Sequence, residues 1–248
     1  MQVNKIGGFT MTKLMYIEYP DLFESSAQVT QQGVDSKGIY LVLNQSLFYP
    51  QGGGQPADQG TIIGVNAVYK VFDVRNVDSE VRHYIIDNNQ VIHPGCSVII
   101  KIDKDRRMLN SKYHTAGHLI AAVVEKINPE LKVIKGHQFP GEAYVEFDGT
   151  LSNSDDFFTK ITSNVLAFIT NNAAVKTEEL SLEDITTIAE KLPYELPKDK
   201  ALRVCHIAGF FPIPCGGTHV RTLEDIASLE IKKSKSKKGK TKIYYEVQ

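Results

Sequence analysis

Apolar residues alternate with polar ones in short runs through the first hundred residues: Leu14–Ile17, Ile39–Leu43, Ala67–Phe72, Val81–Ile86 and Val98–Ile102. A period of two sends successive side chains to opposite faces, so each run has one face to bury. Turn signals separate the runs at Gln32-Gly33, Ser36-Lys37-Gly38, Asp87-Asn88-Asn89 and His93-Pro94-Gly95. Short strands at this spacing can cover their inner faces only by curling into a small barrel or stacking as a sandwich.

The period changes near Asp105. Leu109, Tyr113, Ala116, Ile120, Val123, Val124 and Ile127 recur in steps of three and four, which predicts a helix over 106–127 ended by Asn128-Pro129. A hairpin is expected over Val133–Phe147 around Pro140-Gly141, then a second helix over Asp155–Asn171 capped by Ser154. Ser181-Leu182-Glu183-Asp184 reads as another helix start, continuing through Ile185–Lys191 to a stop at Pro193. Strands near Ile226–Lys233 and Ile243–Val247 close the chain, with Ser236-Lys237-Lys238-Gly239 as the turn between them. The expected fold class is α+β: a β domain over residues 1–104 and a mixed domain over 105–248.

Charge looks uninformative until it is divided. Lys and Arg number 28 and Asp and Glu 29 in 248 residues, a net −1 that argues against an overall basic field. Residues 232–248 hold seven lysines and one acid, so that segment is +6 and residues 1–231 are −7. The longest apolar run of the 106–127 stretch is Leu119–Val124, too short to cross a bilayer, and the first residues show no apolar secretory core. Three cysteines are too few, and odd in number, for a disulfide scaffold. A reducing, cytoplasmic setting is expected.

Two motifs carry metal chemistry. His114 and His118, four apart on a helix, sit one above the other and can converge on one cation. Cys215 and His219, separated by Gly216-Gly217-Thr218, can wrap a tight loop around an ion. A His/His/Cys/His set favours Zn²⁺ over Mg²⁺ or Ca²⁺. The spacing also admits packing residues, the weaker of the two readings. Thr115 stands where a zinc protease would need its glutamate, which disfavours that class. Cys205 reads as a buried strand thiol, with His206 on the opposite face, and Cys96 as a turn or core residue.

Phe48–Gly60 contains three consecutive glycines, Gly52, Gly53 and Gly54, between predicted strands. No Gly-Lys-Ser/Thr follows, so it is not a phosphate-binding P-loop. It reads either as a hairpin connection or as a polar loop over a neighbouring site, offering Gln51, Gln55 and Asp58.

The glycine-rich Phe48–Gly60, the His114–His118 motif and the Cys215–Val220 string occur in the same order in the editing domain of alanyl-tRNA synthetase and its freestanding AlaX relatives. The chain resembles the longer AlaX type from about Lys13 to Val247, and the CGGTHV string is the most specific part. The resemblance implies a translation-factor-like β-barrel followed by an α/β editing domain like those of alanyl- and threonyl-tRNA synthetases. It implies hydrolysis in trans of mischarged Ser-tRNA(Ala), and of Gly-tRNA(Ala), at its acceptor end. His114, His118, Cys215 and His219 are then the catalytic and metal-binding residues, holding one Zn²⁺ per chain. Gly52, Gly53, Gly54, Gln55 and Thr218 would line the substrate. The basic strand pair carrying Lys232, Lys233, Lys235, Lys237, Lys238 and Lys240 would contact tRNA phosphates. Residues 1–10 precede the usual family start, as an extension or an extra strand. Two other readings stand beside this one: a non-enzymatic, zinc-stabilised tRNA-binding module, and a deacylase for another mischarged tRNA such as Ser-tRNA(Thr).

Overall fold

Strand runs that each need one covered face close on themselves in the computed structural model of the chain. It describes residues 5–6, 9–86, 91–151, 155–181, 183–184 and 202–247. These form two compact units: Met1–Gly52 with Pro56–Arg107, and Gly53–Gln55 with Met108–Gln248.

In the first unit six strands form a closed barrel: β1 (Glu24–Asp35), β2 (Gly38–Leu43), β3 (Gly60–Ile63), β4 (Val68–Val77), β5 (Glu80–Ile85) and β6 (Ser97–Ile102). The order around it is β6-β1-β2-β5-β4-β3, every pair antiparallel. Inward positions such as Val29, Leu41, Leu43, Ile62, Val71 and Ile100 fill the interior. Closure removes free sheet edges. Two expectations fail here. Leu14–Ile17 is not one strand: Lys13–Leu14 pairs with Gln45–Ser46, but Met15–Glu18 makes a single helical turn, α1, burying Tyr16. Gln32-Gly33 is no turn: β1 runs straight through it, because the Tyr40 ring lies where a β-carbon of residue 33 would project. Cys96 is exposed beside the Pro94-Gly95 turn, outside the core. Lys5–Ile6 pairs with Phe9–Thr10 as a short ladder.

The helix α2 covers Lys104–Ile127 and ends before Asn128-Pro129. Its second half buries the expected stripe at Ala116, Ile120, Val123 and Val124. Its first half differs. Leu109 is exposed, while Asn110, Ser111, His114 and Thr115 are buried, so this turn hides a polar face. The expected hairpin forms from β7 (Lys132–His137) and β8 (Tyr144–Asp148), and α3 covers Asp155–Thr170. Then come β9 (Val175–Leu180), β10 (Leu202–Ile207), β11 (Ile213–Pro214), β12 (Leu229–Lys237) and β13 (Lys240–Val247). One sheet runs β7-β8-β13-β12 and another β9-β10-β11. Phe147, Ile243, Tyr245, Ile161 and Val165 pack with α2 into one core. The final turn is narrower than expected: the lysines through Lys237 belong to β12, leaving Lys238-Gly239 to turn. The expected cap Ser154 and the Ile185–Lys191 helix lie outside the described residues. Among those residues the structure is mostly β with few helices, and no helix is long and apolar enough to cross a membrane.

Candidate metal centre

The helix α2 brings His114 and His118, one turn apart, onto one face, with their ring centroids 4.9 Å apart. Cys215 and His219 come from the loop after β11. That loop is held by Arg203 of β10, whose Nη1 donates to the carbonyls of Cys215 (2.9 Å) and Gly217 (2.7 Å). The two glycines differ. A β-carbon on Gly217 would overlap the His114 ring and crowd Gln55 Oε1, whereas one on Gly216 would meet nothing within 4 Å.

Hydrogen bonds set the histidine tautomers. Gln55 Oε1 accepts from the Thr218 backbone N–H (2.9 Å), and Gln55 Nε2 donates to Thr218 Oγ1 (2.8 Å). The same oxygen lies 2.6 Å from His114 Nδ1, so Nδ1 carries the proton and Nε2 is bare. Thr115 donates its hydroxyl proton to Ser111 O (2.9 Å) and faces His219 Nδ1 at 3.1 Å. His219 Nδ1 is therefore also the donor, and its Nε2 is bare. Both lone pairs point at Cys215 Sγ, 3.5 Å from His114 Nε2 and 3.3 Å from His219 Nε2. His118 Nε2 lies 3.2 Å from His114 Nε2. Converging lone pairs repel unless a cation sits among them.

All four donor atoms lie within 4.8 Å of one another. A tetrahedron with Zn–N near 2.0–2.1 Å and Zn–S near 2.3 Å has donor–donor edges of about 3.3–3.6 Å. Three of the six spacings, 3.2, 3.3 and 3.5 Å, lie close to that shell and the others are no longer than 4.8 Å, so the four residues fit a metal ion after a small contraction. Burial pushes His118 down to about 4, and His114 and His219 well below the usual imidazole value, with neighbouring positive groups adding to the shift. The rings are therefore neutral at pH 7, as ligands must be. Burial raises the Cys215 thiol, against the Gly217 N–H and Arg203, which lower it.

Beside the cluster is a cleft of about 210 Å³, smaller than the roughly 300–1,000 Å³ of pockets for drug-sized ligands. His114, His118, Cys215 and Gly217 line it together with Gly53, Gly117, Gly136 and Gln138. No carboxylate is among the described residues lining it. Gln138 is 4% exposed, and its Oε1 has no hydrogen-bond partner. Glycines make room for that carboxamide: side chains at Gly54 (φ +83°) or Gly136 would run into it. Gln138 N–H donates to Gly54 O at 2.9 Å, which ties the glycine-rich segment to the end of β7.

Of the residues proposed to line a substrate, Gly53 borders the cleft and Gly54 packs against Gln138. Gln55 and Thr218 are fully buried and bonded to each other, with Gln55 orienting His114. Gly52 belongs to the first unit, as does Asp58, which is buried against Arg107. Cys205 is buried, and its thiol pKa is raised by that burial. Lys233, Lys235, Lys237 and Lys240 are exposed on β12 and β13, Lys238 is in the turn, and Lys232 is paired with Glu230 (2.6 Å) and Glu246 (2.8 Å). Arg203 and Ser111 did not stand out in the sequence; Thr115 did so only against the zinc-protease pattern, and Gln138 only as one end of the Lys132–Gln138 segment, which with the glycine-rich loop is a candidate to read the seryl hydroxyl. For Ser111 and Thr115 the local signal is the run of polar residues through the apolar stripe at 110–115.

A family described as class II (A) tRNA synthetases matches residues 12–106, and the threonyl and alanyl tRNA synthetase second additional domain matches residues 202–244. The chain is 31% identical over 252 residues to the alanyl-tRNA editing protein AlaX-M of Methanosarcina acetivorans, covering 95% of this chain and 98% of that one. It is 29% identical to AlaX-L of Pyrococcus horikoshii, covering 91% of this chain and 56% of that protein. It is 30% identical to the alanine–tRNA ligase of Methanoregula boonei, covering 92% of this chain but 24% of the ligase. The chain thus spans about a quarter of the ligase, about half of AlaX-L and nearly all of AlaX-M.

Proposed function

The chain belongs to the alanyl-tRNA editing family, the AlaX proteins, and from that premise we propose that it is a trans-editing deacylase hydrolysing the ester of mischarged Ser-tRNA(Ala). The observation that carries the reading is a small cleft lined by three residues of the four-donor cluster, His114, His118 and Cys215, and by Gln138, whose buried carboxamide oxygen has no partner. We assign residues 1–104 to a translation-factor-like barrel domain and 105–248 to an editing domain like those of alanyl- and threonyl-tRNA synthetases. The partner is the acceptor end of mischarged tRNA(Ala), with the lysines of β12 and β13 contacting its phosphates.

Serine differs from alanine by one hydroxyl, which a synthetic site excludes poorly. Gln138 Oε1 is an acceptor without a donor, and a seryl hydroxyl supplies one. Alanine would leave it unpaired, a penalty of about 1–3 kcal/mol, or roughly 5- to 150-fold in rate. Zn²⁺ is the metal we propose for His114, His118, Cys215 and His219; when bound it supplies electrophilic polarisation next to the ester. The protein does the rest by placement. Gln55 and Thr115 fix the two imidazoles, and Arg203 fixes the Cys215 loop. Gly53, Gly117 and Gly136 leave backbone-sized space, and Ala121, Val133, Val145 and Ile213 add an apolar lining. A cleft of that size also admits a glycyl group.

The full set of four protein donors favours one second reading, a structural zinc in a non-enzymatic tRNA-binding module. A panel of Ser-tRNA(Ala), Gly-tRNA(Ala), Ser-tRNA(Thr) and Ala-tRNA(Ala), incubated with zinc-loaded protein, tests the proposal. Fast release of serine from tRNA(Ala), with Ala-tRNA(Ala) spared, is expected. No release above buffer, together with unfolding of Cys215→Ala, would favour the structural-zinc module, and fastest release from Ser-tRNA(Thr) would move the substrate.

A further inference from the structure

The sheet β7-β8-β13-β12 buries one face: Val145, Phe147, Thr241 and Ile243 point into the core. Strand register arranges the other face in three cross-strand rows. One runs Lys132–Asp148–Lys240–Lys237, the next Lys135–Glu146–Lys242–Lys235, and the third His137–Tyr144–Tyr244–Lys233. These rows hold seven lysines and two carboxylates, a net +5, and the next row on the same face holds Glu230 and Glu246, both paired with Lys232.

The third row is aromatic. His137 stacks on Phe139 with centroids 4.4 Å apart, His137 on Tyr144 at 5.1 Å, and Tyr144 meets Tyr244 at 5.6 Å. Lysines bracket the rings: Lys242 Nζ is 4.0 Å from the Tyr144 centroid, and Lys233 and Lys235 are 5.3 and 6.0 Å from that of Tyr244. The four rings are half-buried, so part of each remains open to solvent.

We propose that this face binds unpaired RNA nucleotides, with Tyr144 and Tyr244 stacking on bases, His137 holding the Tyr144 ring from its other side, and Lys233, Lys235 and Lys242 contacting the phosphates between them. Charge selects a polyanion. The ring row selects a single strand, because a duplex keeps its base faces stacked on one another whereas unpaired bases can stack on aromatic side chains. Strand β7 also links the face to the cleft: His137 ends the aromatic row, and the next residue, Gln138, lines the metal-site cleft. A 3′ end lying on the row is thus carried to the strand that borders the cleft. The proposal rests on the editing reading for its substrate, an unpaired aminoacylated 3′ end, but not for its chemistry.

The test uses the full chain and a labelled single-stranded RNA heptamer ending in CCA, without amino acid, against a blunt RNA duplex of equal length, by fluorescence anisotropy. The single strand should bind at least tenfold more tightly. Tyr144→Leu and Tyr244→Leu, checked for unchanged melting, should each weaken it roughly 5- to 100-fold, the loss of one stacked base. Replacing Lys233, Lys235 and Lys242 by Gln should flatten the log–log salt dependence by about 2. If either tyrosine variant melts early, ring-proton shifts of wild-type Tyr144 and Tyr244 on RNA addition replace it, with upfield movement expected. Equal binding of duplex and single strand, unchanged binding by the tyrosine variants, or unmoved ring resonances would overturn the proposal. So would a concentration-dependent dimer dispersed by the same substitutions. The probe carries no ester, so binding without deacylation would sink the editing reading alone, and deacylation without ring-dependent binding would sink this one alone.

Discussion

The two units bury polar groups in opposite ways. Among the described residues of the barrel unit, no buried side-chain polar atom lacks a partner. The Arg107 guanidinium meets the Asp58 carboxylate, and its remaining donors reach Leu47 O (2.6 Å) and Pro20 O (3.2 Å). Asp58 also accepts from the Tyr49 N–H at 2.7 Å. His83 is closed too, with Nδ1 on Leu41 O at 3.0 Å and Nε2 against Ser46 Oγ at 2.7 Å. The second unit leaves groups open. Among the described residues, the buried side-chain atoms without a partner are both amide atoms of Asn110 and Oε1 of Gln138, all in this unit. Bare nitrogens of His114 and His219 converge there as well. A closed buried group serves the fold. An open one costs about 1–3 kcal/mol, and its use lies in what it binds.

The contrast breaks most visibly at Arg107. Arg107→Met leaves the Asp58 charge buried without its partner and should cost about 3–5 kcal/mol, read as a shift in the urea midpoint. A loss under 1 kcal/mol would mean the pair is not closed as described. Next is the Cys215 loop. Gly217→Ala drives a methyl into the His114 ring and should lower bound metal and deacylation at least 100-fold, while Gly216→Ala keeps bound metal near wild type. Metal content of the two purified variants decides it, and equal loss in both would contradict the steric account.

His83 gives the smaller, pH-dependent effect. Burial lowers its pKa from 6.5 to about 4, so the folded barrel prefers the neutral ring and the unfolded chain takes the proton first. Its contribution to stability is complete above pH 6.5 and is lost as pH falls toward 4, by about 1.4 kcal/mol per pH unit and about 3 kcal/mol in all. His83→Gln should flatten the acid limb of a stability–pH curve by that amount, and an unchanged limb would remove His83 as its cause.

Much of this was legible in local sequence patterns. Period-two runs indicated a barrel or sandwich, and the spacings of His114–His118 and Cys215–His219 indicated the donors. What sets their geometry was not legible, because it is long-range. Gln55 reaches His114 across 59 positions and Thr218 across 163. The Gln32-Gly33 turn signal misled because its glycine makes room for Tyr40 rather than for a reversal. Gln138 was legible only as one end of the candidate Lys132–Gln138 segment, and its open oxygen exists only where β7 meets the glycine-rich segment.

Gln138→Leu tests the central claim, that open polar groups mark function. Melting temperature and the Ser-tRNA(Ala) to Ala-tRNA(Ala) hydrolysis ratio are measured on the same zinc-loaded preparation. The account predicts melting unchanged or slightly raised, since a leucine leaves no orphaned oxygen, and a serine preference reduced at least tenfold. A clear drop in melting temperature with the serine preference intact would contradict it.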